Sequence, residues 1–150
     1  MKLTVTTPLA IIVEADGVAH LRAEDETGGF GILPGHADFL TSLTVSVASW
    51  RDARGREHHV AVRGGMLEVG GGNAIVIATP EAVASDDLRQ LETEVLARFR
   101  RQRAEEQAAR TDAQRLYLAA IRQIVRFLRA ERVPAAPGIP ASGPQEGFEA

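Results

Sequence analysis

The stretch HHVAVRGGMLEVGGGNAIVIAT, residues 58–79, decides the fold class. It is rich in valine and isoleucine, it alternates apolar with polar at several positions, and RGG at 63–65 and GGGN at 70–73 interrupt it. Alternation with a period of two marks strands covered on one face, and glycine supplies positive φ at little steric cost where the chain must turn. The reading here is of short strands HHVAVR, MLEV and AIVIAT separated by glycine turns. Working outward, LTVTT, AIIVEA, VAHLRAED and TVSVASW repeat the pattern back to the start, with a further turn at DARG, residues 52–55. Strands at this spacing with no helix between them predict a β-sandwich or barrel, and an antiparallel β-sandwich over residues 1–84 is the expectation.

The period then changes. Ser85 is the expected N-cap, Asp86 and Asp87 complement the dipole of a first turn, and Leu88, Leu91, Val95 and Phe99 follow helical spacing. Thr111 and Gln114 have the spacing of a capping box, so a second helix is expected to begin there, with Leu116, Ala120, Ile121, Ile124, Val125 and Leu128 as its apolar stripe. Residues 85–132 are therefore expected to form an antiparallel two-helix hairpin. Residues 133–150 carry four prolines and three glycines with little to bury, which predicts a disordered tail.

At 150 residues and 45% apolar, the chain holds one core and an extension. It contains no cysteine, which excludes a disulfide framework, a thiolate nucleophile and a cysteine-bearing zinc site and fits a reducing compartment. The opening MKLTVTTPLAIIVEADG has too short an apolar run for a signal peptide or a membrane span, so a soluble chain is expected. The net charge of −3 hides a segregation: residues 1–80 have 6 basic and 9 acidic side chains, whereas residues 98–132 have 10 arginines against 4 acids. That helical part is thus +6. Nucleic acid is the obvious partner for such a charge, but with few aromatics and an acidic strand half an acidic protein partner competes with it.

No catalytic constellation emerges. Neither a phosphate loop nor a dinucleotide fingerprint is present, and GFGILPG has the wrong spacing for either. His58 and His59 face opposite sides of a strand, and His20 and His36 are remote, so no pair has a metal spacing. No serine sits in a nucleophile elbow. The loop GILPGHADFL, residues 31–40, is left as a shaped contact surface or as a turn that merely closes the sandwich.

The order of these pieces is more specific than any one of them. A strand sandwich containing GGFGILPGHADFLTSL, then VRGGMLEV, then NAIVIAT, then an arginine-rich helical region, resembles the epsilon subunit of F-type rotary ATP synthases over roughly residues 1–130. The resemblance implies a subunit that is not itself an enzyme. It implies a peripheral place on the cytoplasmic face of the cell membrane, with the gamma subunit, the membrane ring subunits and the catalytic alpha and beta subunits as partners, and neither nucleic acid nor membrane insertion. In that setting Gly31 and Gly35 let the contact loop turn, Pro34 stiffens it, and His36 offers a polar group to a neighbour. The hairpin would fold on the sandwich or extend into the catalytic head and hinder ATP hydrolysis, with Arg115, Arg122, Arg126 and Arg129 as its regulatory arginines.

Family members commonly have a charged residue at the position of Gly29 and a proline at that of Asp38, and LTVSV here replaces a lysine-proline-glycine run. These departures, with SWRDARGREHHVAVRGG, look most like the alternate F-type ATPases, whose coupling ion is proton or sodium. No cofactor is implied, except ATP as a weak regulatory ligand: SDDLRQ keeps Asp86 and Arg89 of a nucleotide-binding pattern but has Ser85 and Gln90 at its flanks. Arg122 and Arg126 are candidates for phosphate charge, and ordinary helix solvation accounts for them equally. The competing reading is a stand-alone sandwich adaptor that binds an acidic partner through its arginine helices.

Overall fold

A computed structural model describes residues 1–131, so the expected disordered tail over 133–150 lies outside the described residues. Eight strands come first: β1 (Lys2–Thr6), β2 (Ile11–Ala15), β3 (His20–Asp25), β4 (Gly28–Ile32), β5 (Phe39–Arg51), β6 (Glu57–Gly70), β7 (Ala74–Ala78) and β8 (Ala82–Ser85). A short α1 (Leu88–Gln90), a π-helical turn (Leu91–Val95) and the long α2 (Leu96–Glu131) follow. The strands join in the order β2-β1-β7-β6-β5-β3-β4, and β8 pairs with β6.

The 58–66 region departs from the expected turn. HHVAVR and MLEV are not separate strands but one 14-residue strand that passes through RGG. β5 pairs along the whole of β6, from Arg51↔Glu57 to Phe39↔Val69, which leaves one free flank on β6. β8 fills that flank beside His59–Val62 and β7 fills it beside Met66–Gly70. The two halves of the long β5–β6 hairpin thus serve the two layers of the sandwich.

Gly64 (φ 74°) and Gly65 (φ 111°) make the corner. Before it, core-facing residues of β6 are even-numbered, Val60 and Val62; beyond it they are odd, Leu67 and Val69. Two glycines in the left-handed region reset the alternation, which a side chain with a Cβ resists. One pairing also departs from the expected antiparallel sheet: β1 and β7 run parallel, Lys2↔Ala74 to Thr6↔Ala78. The 70–73 turn reverses the chain from β6 into β7, and that direction matches β1.

Leu3, Val5, Leu67, Val69, Ile75 and Ile77 from one layer and Leu21, Ile32, Trp50, Val60 and Val62 from the other form one buried cluster. Each such side chain contributes about 1.5–3 kcal/mol on burial. A second cluster lies on the opposite face of β5 and β6, where Val45 and Ala61 meet Leu91, Leu96 and Phe99. The π-helical turn explains how: its Leu96 N–H bonds to the Leu91 carbonyl, so residues five apart share one face, which α-spacing would splay by about 140°.

Two expectations for the helices are corrected. The N-cap is Asp87, whose carboxylate accepts from Gln90 N at 3.1 Å, while Ser85 Oγ accepts from Asp87 N one step earlier. Both residue types cap, and the carboxylate takes the position nearer the helix. The expected two-helix hairpin is not formed, because α2 runs unbroken through Thr111 and Gln114. Ala109, Arg110, Ala113 and Arg115 are strong helix formers, and with no glycine or proline there the amide of every interior residue already has its carbonyl four residues back. A first compact unit covers Met1–Ala108 and a second begins at Ala109. No helix among the described residues is long and apolar enough to cross a membrane.

Candidate functional site: a braced loop, an apolar strip and an arginine-lined helix

Leu33 to His36 form a tight turn closed by His36 N donating to the Leu33 carbonyl at 3.1 Å. Pro34 stands at its second position and Gly35, at φ 82°, at its third, the arrangement of a type II turn. The turn is braced against the 70–73 turn. Gly35 N donates to Gly72 O at 2.8 Å, and Gly71 N donates to Asp38 Oδ1 at 2.9 Å. A Cβ at Gly72 would lie 3.2 Å from Gly35 Cα, so the close approach needs that glycine. His36 donates from Nδ1 to the Ala37 carbonyl at 2.7 Å and meets Phe39 edge-on, and Phe39 in turn meets Phe30.

Gly31 is not part of this turn, contrary to expectation. It sits in β4 opposite Arg22, where a Cβ would lie 3.0 Å from His20 Nε2. Its role is to admit the histidine ring.

Beside the loop, β5, β6, β7, β1 and β2 present a row of exposed apolar side chains that sequence reading missed. Leu40 (63% exposed), Met66, Val76 and Ile11 all reach solvent. The register joins them: Leu40 opposes Glu68, which opposes Val76, and Met66 opposes Ala78, which opposes Thr6, the partner of Ile11. MLEV carried the signal, since Met66 falls on the face opposite Leu67 and Val69. An apolar residue on both faces of a strand marks a layer covered on both sides.

The nucleotide-binding candidates do not converge. Asp86 is 89% exposed at its side chain, and Arg89 is exposed on α1. A cleft of about 560 Å³ beside Asp86 is lined by Glu14, Asp16, Trp50, Asp52 and His58 but not by Arg89. Four carboxylates around one cleft repel phosphate. His58 stacks on Trp50 at 5.4 Å and bonds Asp52 Oδ2 through Nε2 at 3.2 Å, with Asp86 at 3.5 Å from Nδ1.

Asp52 organises the β5–β6 turn. The hydrogen bond from His58, then that from the Arg56 amide, holds its carboxyl well below the usual carboxylate range. A depressed carboxylate stabilises the fold above its unfolded pKa, and that contribution is lost as pH falls through the folded value. Asp52→Asn is therefore expected to lower the melting temperature at neutral pH, with a gap from the parent that begins to narrow as pH drops below about 4 and closes only toward the much lower folded value. Thermal unfolding across pH checks this, and a gap independent of pH would contradict it.

Arg115, Arg122, Arg126 and Arg129 are all exposed on α2. At 100° per residue they fall within a strip about 60° wide, and Leu116, Tyr117, Leu118, Ile121, Ile124, Val125, Phe127 and Leu128 fill about 200° of the remaining circumference. Those eight apolar side chains are exposed too. Among the described residues, no group of three or more histidine, aspartate and glutamate side chains is placed to hold a metal ion.

Comparison with known proteins agrees with this layout. Residues 1–85 match the family described as ATP synthase, Delta/Epsilon chain, beta-sandwich domain. A Cereibacter sphaeroides protein named ATP synthase epsilon chain 2 is 44% identical over 99% of both chains. One of the same name from Paraburkholderia xenovorans is 40% identical over 88% of this chain and 95% of its own. The fold is shared with a chain of the Euglena gracilis mitochondrial ATP synthase (TM-score 0.53, 24% identity), over 57% of this chain and 54% of that one.

Proposed function

The chain belongs to the ATP synthase delta/epsilon family as an epsilon subunit, and from that premise we propose that its sandwich docks on the gamma subunit and the membrane ring subunits while its C-terminal helix restrains ATP hydrolysis by the alpha and beta subunits. The complex stands on the cytoplasmic face of the cell membrane and couples turnover to proton or sodium movement. The epsilon subunit is non-catalytic, and the family match displaces the stand-alone adaptor reading. The observation that carries the docking role is the braced loop at Leu33–Asp38 beside the exposed strip of Ile11, Leu40, Met66 and Val76: a rigid shape next to apolar surface, which loses little entropy on binding. In this reading the two-helix hairpin is a second form of the helical region, with α2 broken at the Thr111–Gln114 capping pattern.

Reconstitution of the catalytic head with and without this chain tests the assignment. Within it, Gly35→Val probes the loop. No atom lies within 4 Å of the added Cβ, so the cost is the positive φ alone, about 1–2 kcal/mol. The isolated chain is expected to stay folded while co-purification with gamma falls, and unchanged co-purification removes the loop from the interface. ATP is at most a weak regulatory ligand, since Asp86 and Arg89 share no cleft and the carboxylates beside them oppose phosphate. Calorimetry on the isolated chain is expected to show no micromolar affinity. Such an affinity, lost in Arg89→Ala, would reverse this.

A further inference from the structure

Residues 88–106 follow the sandwich in sequence, yet they complete its second core. Phe99 (0% exposed) and Leu91 (1%) are as deeply buried as any residue of the first core. They and Leu96 cover Val45 and Ala61, with Val47 and Val83 packed at the margin. Charges surround this contact at the β6 corner. Arg63, 17% exposed at its side chain, ion-pairs with Glu106 and lies 3.7 Å from Glu81, whose other oxygen accepts from Arg98 Nη2 at 3.2 Å. A Cβ at Gly64 would lie 3.2 Å from Arg103 Nη1, so the corner glycine also makes room for an arginine of α2. The Asp87 cap ties down the start of the segment.

We infer that residues 88–106 are latched to the sandwich in every state of the subunit, and that the regulatory movement is confined to residues beyond Ala108. A swing at the strand–helix junction, Ser85–Asp87, would bring Leu91, Leu96, Phe99, Val45 and Ala61 into water together, take Glu106 from Arg63 and take Arg98 from Glu81. A swing beyond Ala108 breaks none of these contacts, because every residue in them lies at or before Glu106. Salt does not screen the apolar contact made by Phe99 and Leu91, so the latch holds where the exposed arginines of α2 do not. The functional half of this inference rests on the inhibitory reading above.

The test uses the reconstituted complex with the full chain, a chain lacking residues 109–150 and one lacking 88–150, with amide exchange measured on the full chain alone and in the complex under ATP and under ADP. The chain lacking 109–150 is expected to assemble as the full chain does and to release the whole of any inhibition. Amides of 88–106 are expected to exchange as slowly as those of β5 and β6 and to change less than about twofold between nucleotides, while those of 112–131 change about tenfold or more. Parallel change in both segments overturns the inference. So does inhibition that survives loss of 109–150 but not of 88–150, an outcome that leaves the inhibitory reading standing. If neither truncation alters hydrolysis, the inhibitory reading falls, and exchange in the isolated chain still decides the latch: protection of 88–106 matching the strands supports it and rapid exchange refutes it.

Discussion

Gly65→Val is expected to prevent the sandwich from forming. A Cβ at this position would lie 2.1 Å from the Ala78 carbonyl oxygen, 2.8 Å from Thr79 Cα and 3.0 Å from Ala78 C. All three are backbone atoms, so no side chain can rotate out of the way, and relief requires β7 to separate from β6. The φ of 111° is a second obstacle, since L side chains rarely adopt it. Separation would break the pairing from Met66↔Ala78 to Gly70↔Ala74 and uncover Leu67, Ile75 and Ile77. The expected loss exceeds about 4 kcal/mol, a large part of the 5–15 kcal/mol that holds a domain of this size. Circular dichroism and soluble yield read the result, and Gly70→Ala is the control, because nothing lies within 4 Å of its Cβ and its φ is not in the left-handed region. A soluble Gly65→Val chain that melts with the parent would show that the corner is not a fixed feature.

Reversal of Arg115, Arg122, Arg126 and Arg129 to glutamate is expected to raise ATP hydrolysis by the reconstituted complex while leaving its assembly intact. The four changes take the balance of residues 98–132 from +6 to −2. The arginines share one narrow strip of α2, so an acidic surface can meet all four at once while the apolar side chains on the rest of the helix pack. Exposed pairs are individually worth about 0.2–1 kcal/mol, so the collective hold is roughly 1–4 kcal/mol and is screened by salt. Added salt should therefore weaken inhibition by the parent chain and have little effect on the reversed one. Equal hydrolysis by both complexes at every salt concentration would reduce the arginines to a solvated helix face.

The composition of individual segments was legible without the structure because it depends on local periods and on the needs of single residues. Alternation placed the strands, the change at Ser85 placed the helical region, and the segregated charge located the arginines. The contact loop was legible as a rigid shape, since Pro34 and Gly35 side by side specify a turn by their own φ preferences. Its place was not legible, because the brace from Gly72 and Gly71 comes from the far side of β6.

Where local energies balance, only tertiary contact decides. RGG is as good a turn as a corner, and β6 continues through it because β5 pairs along its entire length and Ala78 closes on Gly65. The odd interval between Val62 and Leu67 was written in the sequence all along, but alternation gains meaning only once both layers face one core. Thr111 and Gln114 fit a helix start and a helix interior equally well, because a capping pattern lowers the cost of an end without requiring one. By itself the sequence determined which residues are strand, helix and turn formers and where charge gathers. The pairing of β7 and β8 along one flank of β6, the burial of Phe99 against Val45 and Ala61, and the continuity of α2 were decided by the folded structure, since each rests on contacts between residues far apart in the chain or on their absence.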